Sequence, residues 1–405
     1  MSASIRWYAA LGILAAVAAA GCAGERGEAS AAGGPRNVIL MIGDGMGFEQ
    51  VRAAGLYAHG REGGLAMESL PHRAEMTTHP AAGARVVTDS AASGTALATG
   101  RKADLGAVSV AKPGDGRDLR TALEAFRDRG ARTGLVTTTY LTHATPACFG
   151  AHAAKRDMTE EIAADYLRGS RPNVLMGGVR EEGRGVTVEA AEAAGYAVVT
   201  TREAMEALDP AAEYVAGLFG EGHMPYEHDY ATGTHAAYDT LPHLSEMTRA
   251  ALKVLGRGGE GFFLMVEGGR IDHAGHANHL ERNVFETLEF DRAVAVVLEW
   301  ARGRRDTLVL VTADHECGGL RILEARGKGR MPAVEWATGG HTGVAVPLWA
   351  GGAGAKAVAG RLDNTDLYRL MTGESPGVEA AEEEAAEEEI LVGGLGSQPA
   401  ACAFK

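Results

Sequence analysis

The chain has 405 residues, with 39 Lys and Arg against 53 Asp and Glu, a formal net charge of -14. That balance argues against a nucleic-acid partner, because polyanion binding runs on clustered Lys and Arg. Hydrophobic residues at 46% exclude a chain disordered throughout, and 56 Gly beside only 6% aromatics predict a fold of small side chains and many turns.

In chain order, residues 1–21 read as an export signal: one Arg, an apolar run over 8–20, then Gly21-Cys22. The run is shorter than the roughly 20 residues a spanning helix needs. Ala19-Ala20-Gly21-Cys22 resembles a bacterial lipoprotein cleavage box, which would put a lipid on Cys22; the alternative is ordinary cleavage nearby. Either way the protein is expected to be exported, to the periplasm or lipid-anchored to the cell envelope. Residues 22–35 lack a hydrophobic period and read as a flexible tether.

A folded body is expected over 36–372. Continuous apolar runs at 37–42 (NVILMI), 133–138, 173–176, 196–200, 261–266 (GFFLMV), 307–312 (TLVLVT) and 344–350 predict strands buried on both faces. Helices are predicted over 118–129, 244–255 and 283–301. This β-α-β alternation predicts an α/β three-layer sandwich around a largely parallel central sheet, whose ligands sit beyond the carboxyl ends of the strands. Residues 373–405 carry eight Glu within 374–389 and no apolar stripe, so they read as an acidic, disordered tail. The cysteines are Cys22, Cys148, Cys317 and Cys402, and the sequence selects no disulfide among them.

The strand ends carry the chemistry. Asp44 follows the run 37–42, Glu267 to His276 (EGGRIDHAGH) follows 261–266, and Asp314-His315-Glu316 comes just after 307–312. One Asp after a strand is usually a cap or turn residue, but three such ends with imidazoles are a metal signature. Asp272 and His276 are four apart and share one face of a helical turn; Asp314 and His315 leave a strand end together. Mixed Asp and His ligation without paired thiolates suits zinc in a hydrolytic site, and His341 in TGGHTG offers a further nitrogen. Ser90, in TDSAASGTA, stands where a helix can open. The bland reading is an N-cap; the functional one is a nucleophile beside backbone N–H groups that favour an anion.

These motifs, IGDGMG at 42–47, TDSAASGTA at 88–96, HATPA at 143–147, VEGGRIDHAGH at 266–276, TADHE at 312–316 and GGHTG at 339–343, resemble the alkaline phosphatase family over about 36–372. The resemblance implies a hydrolase of small phosphate monoesters acting through phosphorylated Ser90. It implies one Zn2+ at Asp272, His276 and His341, and a second Zn2+ at Asp44, Asp314 and His315. It also implies a Mg2+-like ion at Asp44, Thr145 and Glu267, and Arg156 on the phosphate, with Asp89, His143 and His273 in the surrounding shell. His143 and His273 stand where the best-known enterobacterial member has Asp and Lys, which leaves the identity of the third ion open. Residues 317–338 are short where many relatives carry a larger crown, and a homodimer is a family expectation.

Two other readings compete. A phosphodiesterase of the same superfamily would lack the roles of Arg156, Thr145 and Glu267, and a non-catalytic metal- or phosphate-binding lipoprotein would not need Ser90.

Overall fold

The computed structural model describes residues 34–180, 184–209 and 211–374; the expected signal, Cys22 and most of the tether, and the acidic tail beyond 374 with Cys402, lie outside them. Fourteen strands are present among the described residues. They are β1 (Asn37–Gly43), β2 (His72–Thr77), β3 (Arg132–Tyr140), β4 (Val174–Val179), β5 (Ala197–Val199), β6 (Val215–Glu221), β7 (Phe262–Gly268), β8 (Thr307–Thr312), β9 (Glu316–Cys317), β10 (Leu320–Glu324), β11 (Ala333–Trp336), β12 (His341–Thr342), β13 (Val346–Gly352) and β14 (Gly360–Asp363). The helices are α1 (Phe48–His59), α2 (Ser90–Thr99), α3 (Ala122–Arg127), α4 (Ala144–Gly150), α5 (Thr159–Ala164), α6 (Val188–Ala193), α7 (Arg202–Glu206), α8 (Glu227–Ala231), α9 (Leu244–Leu255), α10 (Arg270–His276), α11 (Leu280–Ala301) and α12 (Asp366–Thr372).

Ten strands form one sheet in the order β14-β2-β13-β8-β1-β7-β3-β4-β6-β5. Only β13 runs against the rest, pairing antiparallel with β8 and β2. The central strands are apolar on both faces: every residue of β1, β7 and β8 is buried, and Ile39, Leu40, Phe263, Leu264, Val309 and Leu310 form the middle of the core. Such strands need helices on both sides, which is why their sequences do not alternate.

Register sets up the site. Ile42 pairs with Glu267 and with Thr312, so β8, β1 and β7 end on one line and release Asp314, Asp44 and Asp272 just beyond it. The neighbouring β3 releases His143 and Thr145 at the same edge. The crown is small, an antiparallel pair of β10 and β11.

The predicted strands are all found, β8 with its predicted ends and the others with ends shifted by one to three residues. β2, β6, β9 to β12 and β14 were not predicted. β2 is half exposed and polar (HRAEMT), and β6 (VAGLFGE) is interrupted by two glycines, so neither presents a long apolar run. The helix predicted over 118–129 is shorter: α3 starts at Ala122, because Thr121 caps it in a box with Glu124. α9 matches its prediction, and α11 begins three residues early at Leu280, capped by the His279 side chain. No helix among the described residues is long and apolar enough to cross a membrane.

Candidate active site

Ser90 is not an N-cap. Asp89 holds that place, its Oδ1 accepting from the Ala92 N–H at 3.0 Å, and Ser90 is the first helical residue of α2. Every residue of α2 is buried, which its small side chains (SAASGTALAT) permit. The Ser90 hydroxyl therefore sits at the positive end of a ten-residue helix inside the protein, 3.3 Å from His315 Nε2.

Asp44, Asp314 and His315 form the first group at this point, all fully buried. His315 Nε2 lies 3.4 Å from Asp44 Oδ1 and 3.3 Å from Asp314 Oδ2. Asp314 Oδ1 accepts from the N–H groups of Gly45 and His315, but Asp314 Oδ2 and both Asp44 oxygens have no hydrogen-bond donor. Burial, then the neighbouring carboxylates, push the Asp44 pKa well above the usual range; burial and Asp272 push Asp314 up to about 6. Buried carboxylate oxygens without donors are costly unless a cation balances them.

The second group lies against the first, the His341 ring stacked on that of His315 at 3.6 Å. Asp272 and His276 sit on α10, as their spacing predicts, and His341 on β12 closes the group. His276 Nδ1 donates to the Gly339 carbonyl at 2.7 Å and His341 Nδ1 to the Thr88 carbonyl at 2.9 Å. Those bonds direct both Nε2 atoms inward, 3.0 Å apart, toward Asp272 at 3.3 and 3.4 Å. Orienting a ligand imidazole through its other nitrogen is the usual construction of a metal site. The hydrogen bond to Asp272 raises His276 to about 9; burial opposes it, but His276 and His341 hold Asp272 well below the carboxylate range. The point attracts positive charge, whether proton or metal cation. Gly45, at φ +75°, lets the β1 loop press against α10, since a Cβ there would lie 2.7 Å from Asp272 Cα.

Glu267, Asp44 and His143, the last expected in the surrounding shell, bring ligand atoms within 4.8 Å of one another, and buried Thr145 lies beside Glu267. Glu267 Oε2 accepts from the Thr137 and Thr139 hydroxyls, whereas its Oε1 and the Thr145 hydroxyl have no partner. Burial drives Glu267 up to about 7. Arg156 spans the open side, donating to Asp89 Oδ2 at 3.1 Å, with its other nitrogen 3.2 Å from His143 Nε2. His273 packs edge-on to His143, and burial lowers it to about 4, so it is a neutral donor or ligand at working pH.

Sequence reasoning missed three contributors. His223 packs its ring 4.4 Å from that of His273 and 4.8 Å from that of Tyr140; no motif marks it. Glu316 accepts from Gln50 and Gly319, tying β9 to α1; its place in the motif TADHE was a usable signal. Cys317 joins Asp272, His276 and His341 in a group whose ligand atoms all lie within 4.8 Å of one another. Cys148 and Cys317 are both free, so they are not disulfide partners.

The sequence profile of the alkaline phosphatase family matches residues 35–178 and 166–331. The chain belongs to the alkaline phosphatase family. It is 38% identical to the streptomycin-6-phosphate phosphatase of Streptomyces griseus over 90% of this chain and 95% of that one. It is 31% identical to the alkaline phosphatase of Escherichia coli K12, covering 83% and 85% of the two chains. Among solved structures, the cold-active alkaline phosphatase of a psychrophilic Shewanella superposes with a TM-score of 0.73 at 30% identity, covering 83% of this chain and 98% of that one. The protein is accordingly a phosphomonoester hydrolase of a family that generally uses metal ions.

Proposed function

We propose that this alkaline phosphatase homologue hydrolyses phosphate monoesters through a phosphoserine at Ser90. The reading is carried by one observation: the Ser90 hydroxyl lies at the start of α2, 3.3 Å from His315 Nε2, and His315 in turn sits beside Asp44 and Asp314, where both Asp44 oxygens and Asp314 Oδ2 have no hydrogen-bond donor. Asp272, His276 and His341 would hold one zinc ion and Asp44, Asp314 and His315 another. Their mixed carboxylate and imidazole donors fit zinc, while the oxygen-rich set of Asp44, Thr145 and Glu267 fits a magnesium-like ion, with His143 at its side. When bound, such cations supply Lewis acidity and positive charge to the attacking and leaving oxygens.

The chain's own residues do the rest. Ser90 Oγ, giving up its proton to solvent, forms the new bond to phosphorus as the ester oxygen departs with its electron pair and takes up a proton from solvent. Water then attacks the same phosphorus and restores the serine. Arg156 presents paired N–H donors to two phosphate oxygens and stays charged, its pKa raised against burial by Asp89. A dianionic monoester uses that arginine better than a diester does. Export, a lipid on Cys22 and homodimerisation belong to the same proposal and rest on the sequence alone.

A second layer concerns the leaving group. Next to His223 and Arg270 a cavity of about 310 Å³ is lined also by Tyr226, Asp229 and His235, beyond the carboxyl end of β6. Together with the likeness to a streptomycin-6-phosphate phosphatase, this favours a bulky, polar alcohol.

Ser90→Ala should lower aryl phosphate hydrolysis on the order of 10³-fold and abolish phosphoenzyme, with bound metal unchanged. An unaffected rate would remove Ser90 from its role. Turnover of a diester above that of a monoester, unaffected by Arg156→Ala, would favour the diesterase.

A further inference from the structure

The Asp272 centre contains one donor type that its carboxylate and imidazole chemistry does not require. Cys317 on β9 is the direct antiparallel partner of His341 on β12, and directly opposed residues project from the same face of a pair. Its backbone is fixed twice, the N–H donating to the Gly45 carbonyl at 3.0 Å and the carbonyl accepting from Gln50 Nε2 at 2.9 Å. The opposing turn of α10 offers no side chain: a Cβ at Gly275, between the two α10 ligands, would lie 3.1 Å from Cys317 Sγ. The sulfur is thus admitted to the group by a glycine in the helix that carries Asp272 and His276.

Burial divides the group in two. Cys317 at 0% and Asp272 at 4% exposure form its floor, and Asp272 Oδ1 has no hydrogen-bond partner there. The His276 and His341 side chains, 42% and 15% exposed, form its rim. Cys148 contrasts with this. It is equally buried, but its thiol donates to the Ala91 carbonyl at 3.2 Å and accepts from Thr95 at 3.5 Å behind α2.

We propose that Cys317 Sγ is a fourth protein donor of the Asp272, His276 and His341 centre, giving this chain a carboxylate, two imidazoles and a thiolate around one cation. The inference rests on the metal-dependent reading above. The thiol proton passes to solvent as the sulfur–metal bond forms. A thiolate in the set selects a borderline-soft ion such as zinc over magnesium or calcium. The exposed His276 and His341 rim would leave such a cation open to substrate on one side.

The test is cobalt substitution of the full chain after chelation. Wild type should show visible d–d bands together with a near-ultraviolet sulfur-to-cobalt charge-transfer band. Cys317→Ser should keep the d–d bands, lose the charge-transfer band and bind zinc more weakly than wild type, while Cys148→Ser keeps the full spectrum. X-ray absorption of zinc-loaded wild type needs no variant and should contain a sulfur scatterer at about 2.3 Å. Cobalt bands without charge transfer, or charge transfer that survives Cys317→Ser, would overturn the sulfur ligand and leave the metal-dependent phosphatase intact. No cobalt binding at all would overturn both.

Discussion

Two clusters of buried acids and imidazole among the described residues differ in one respect. Glu227, His243 and Glu289, from α8, the cap of α9 and α11, bring their ligand atoms within 4.8 Å, as the catalytic groups do. There, however, the polar atoms answer one another. Both Glu227 oxygens lie 2.9 Å from His243 Nδ1, the Glu227 N–H donates to Glu286, and Glu289 accepts from the Ser245 N–H and from Arg292. Around Ser90 the oxygens of Asp44, one of Asp314, one of Glu267 and one of Asp272 find no donor. Buried charge by itself therefore does not mark a site. Acids already supplied with donors pin three helices together, and acids without them are costly to bury unless a cation balances them.

Breaking one member of each cluster should have opposite consequences. Asp314→Asn is expected to reduce kcat/KM on the order of 10³-fold and lower the zinc stoichiometry, measured by steady-state kinetics and elemental analysis. The chelated variant should melt no lower than chelated wild type, because a repulsive charge beside Asp44 has gone. Glu289→Ala should leave kcat/KM within about 2-fold but destabilise by about 2 kcal/mol in urea, as Ser245 and Arg292 lose their acceptor. A Glu289→Ala protein that lost metal and activity first would erase the distinction.

The comparison also has a pH form. Glu267 and Asp314 are raised in the folded state, to about 7 and about 6, from ordinary values near 4. Groups raised on folding stabilise below their unfolded pKa, and that contribution is lost as pH climbs through the folded values. Chelated protein should therefore lose melting temperature between about pH 4 and 7, and protein loaded with both zinc and magnesium should not, so the gap in Tm widens with pH. A constant gap would count against those carboxylates as ligands.

The smallest effect belongs to a satisfied pair elsewhere. Burial opposes protonation of His152, but Glu124 at 3.3 Å and the Ser109 carbonyl at 2.8 Å raise it to about 9. Its contribution is present below about pH 6.5 and fades as pH passes 9. His152→Gln should lose about 1 kcal/mol at pH 6, measured by urea unfolding, and little at pH 10. An equal loss at both values would assign the effect to packing.

Much of this was legible in the chain. The apolar runs that become β1, β7 and β8 could be read because strands buried on both faces cannot hide polar residues, and the acids just after them follow from a parallel sheet's carboxyl edge. The four-residue spacing of Asp272 and His276 needed only helical geometry. What escaped reading was set by partners distant in sequence: β2 and β14 take their places by pairing, α3 starts late because Thr121 caps it, and His223 reaches the site by packing on His273.

By itself, then, the sequence determined the fold class, the edge of the sheet where chemistry collects and the identity of the charged residues there, since these follow from local pattern and spacing. Only the tertiary structure decided which polar atoms remain without partners, and it alone set Cys317 against the Asp272 centre while leaving Cys148 bonded behind α2. Hydrogen bonding is a pairing between groups far apart along the chain, and no local pattern records which acid will be left unanswered once the strands are in register.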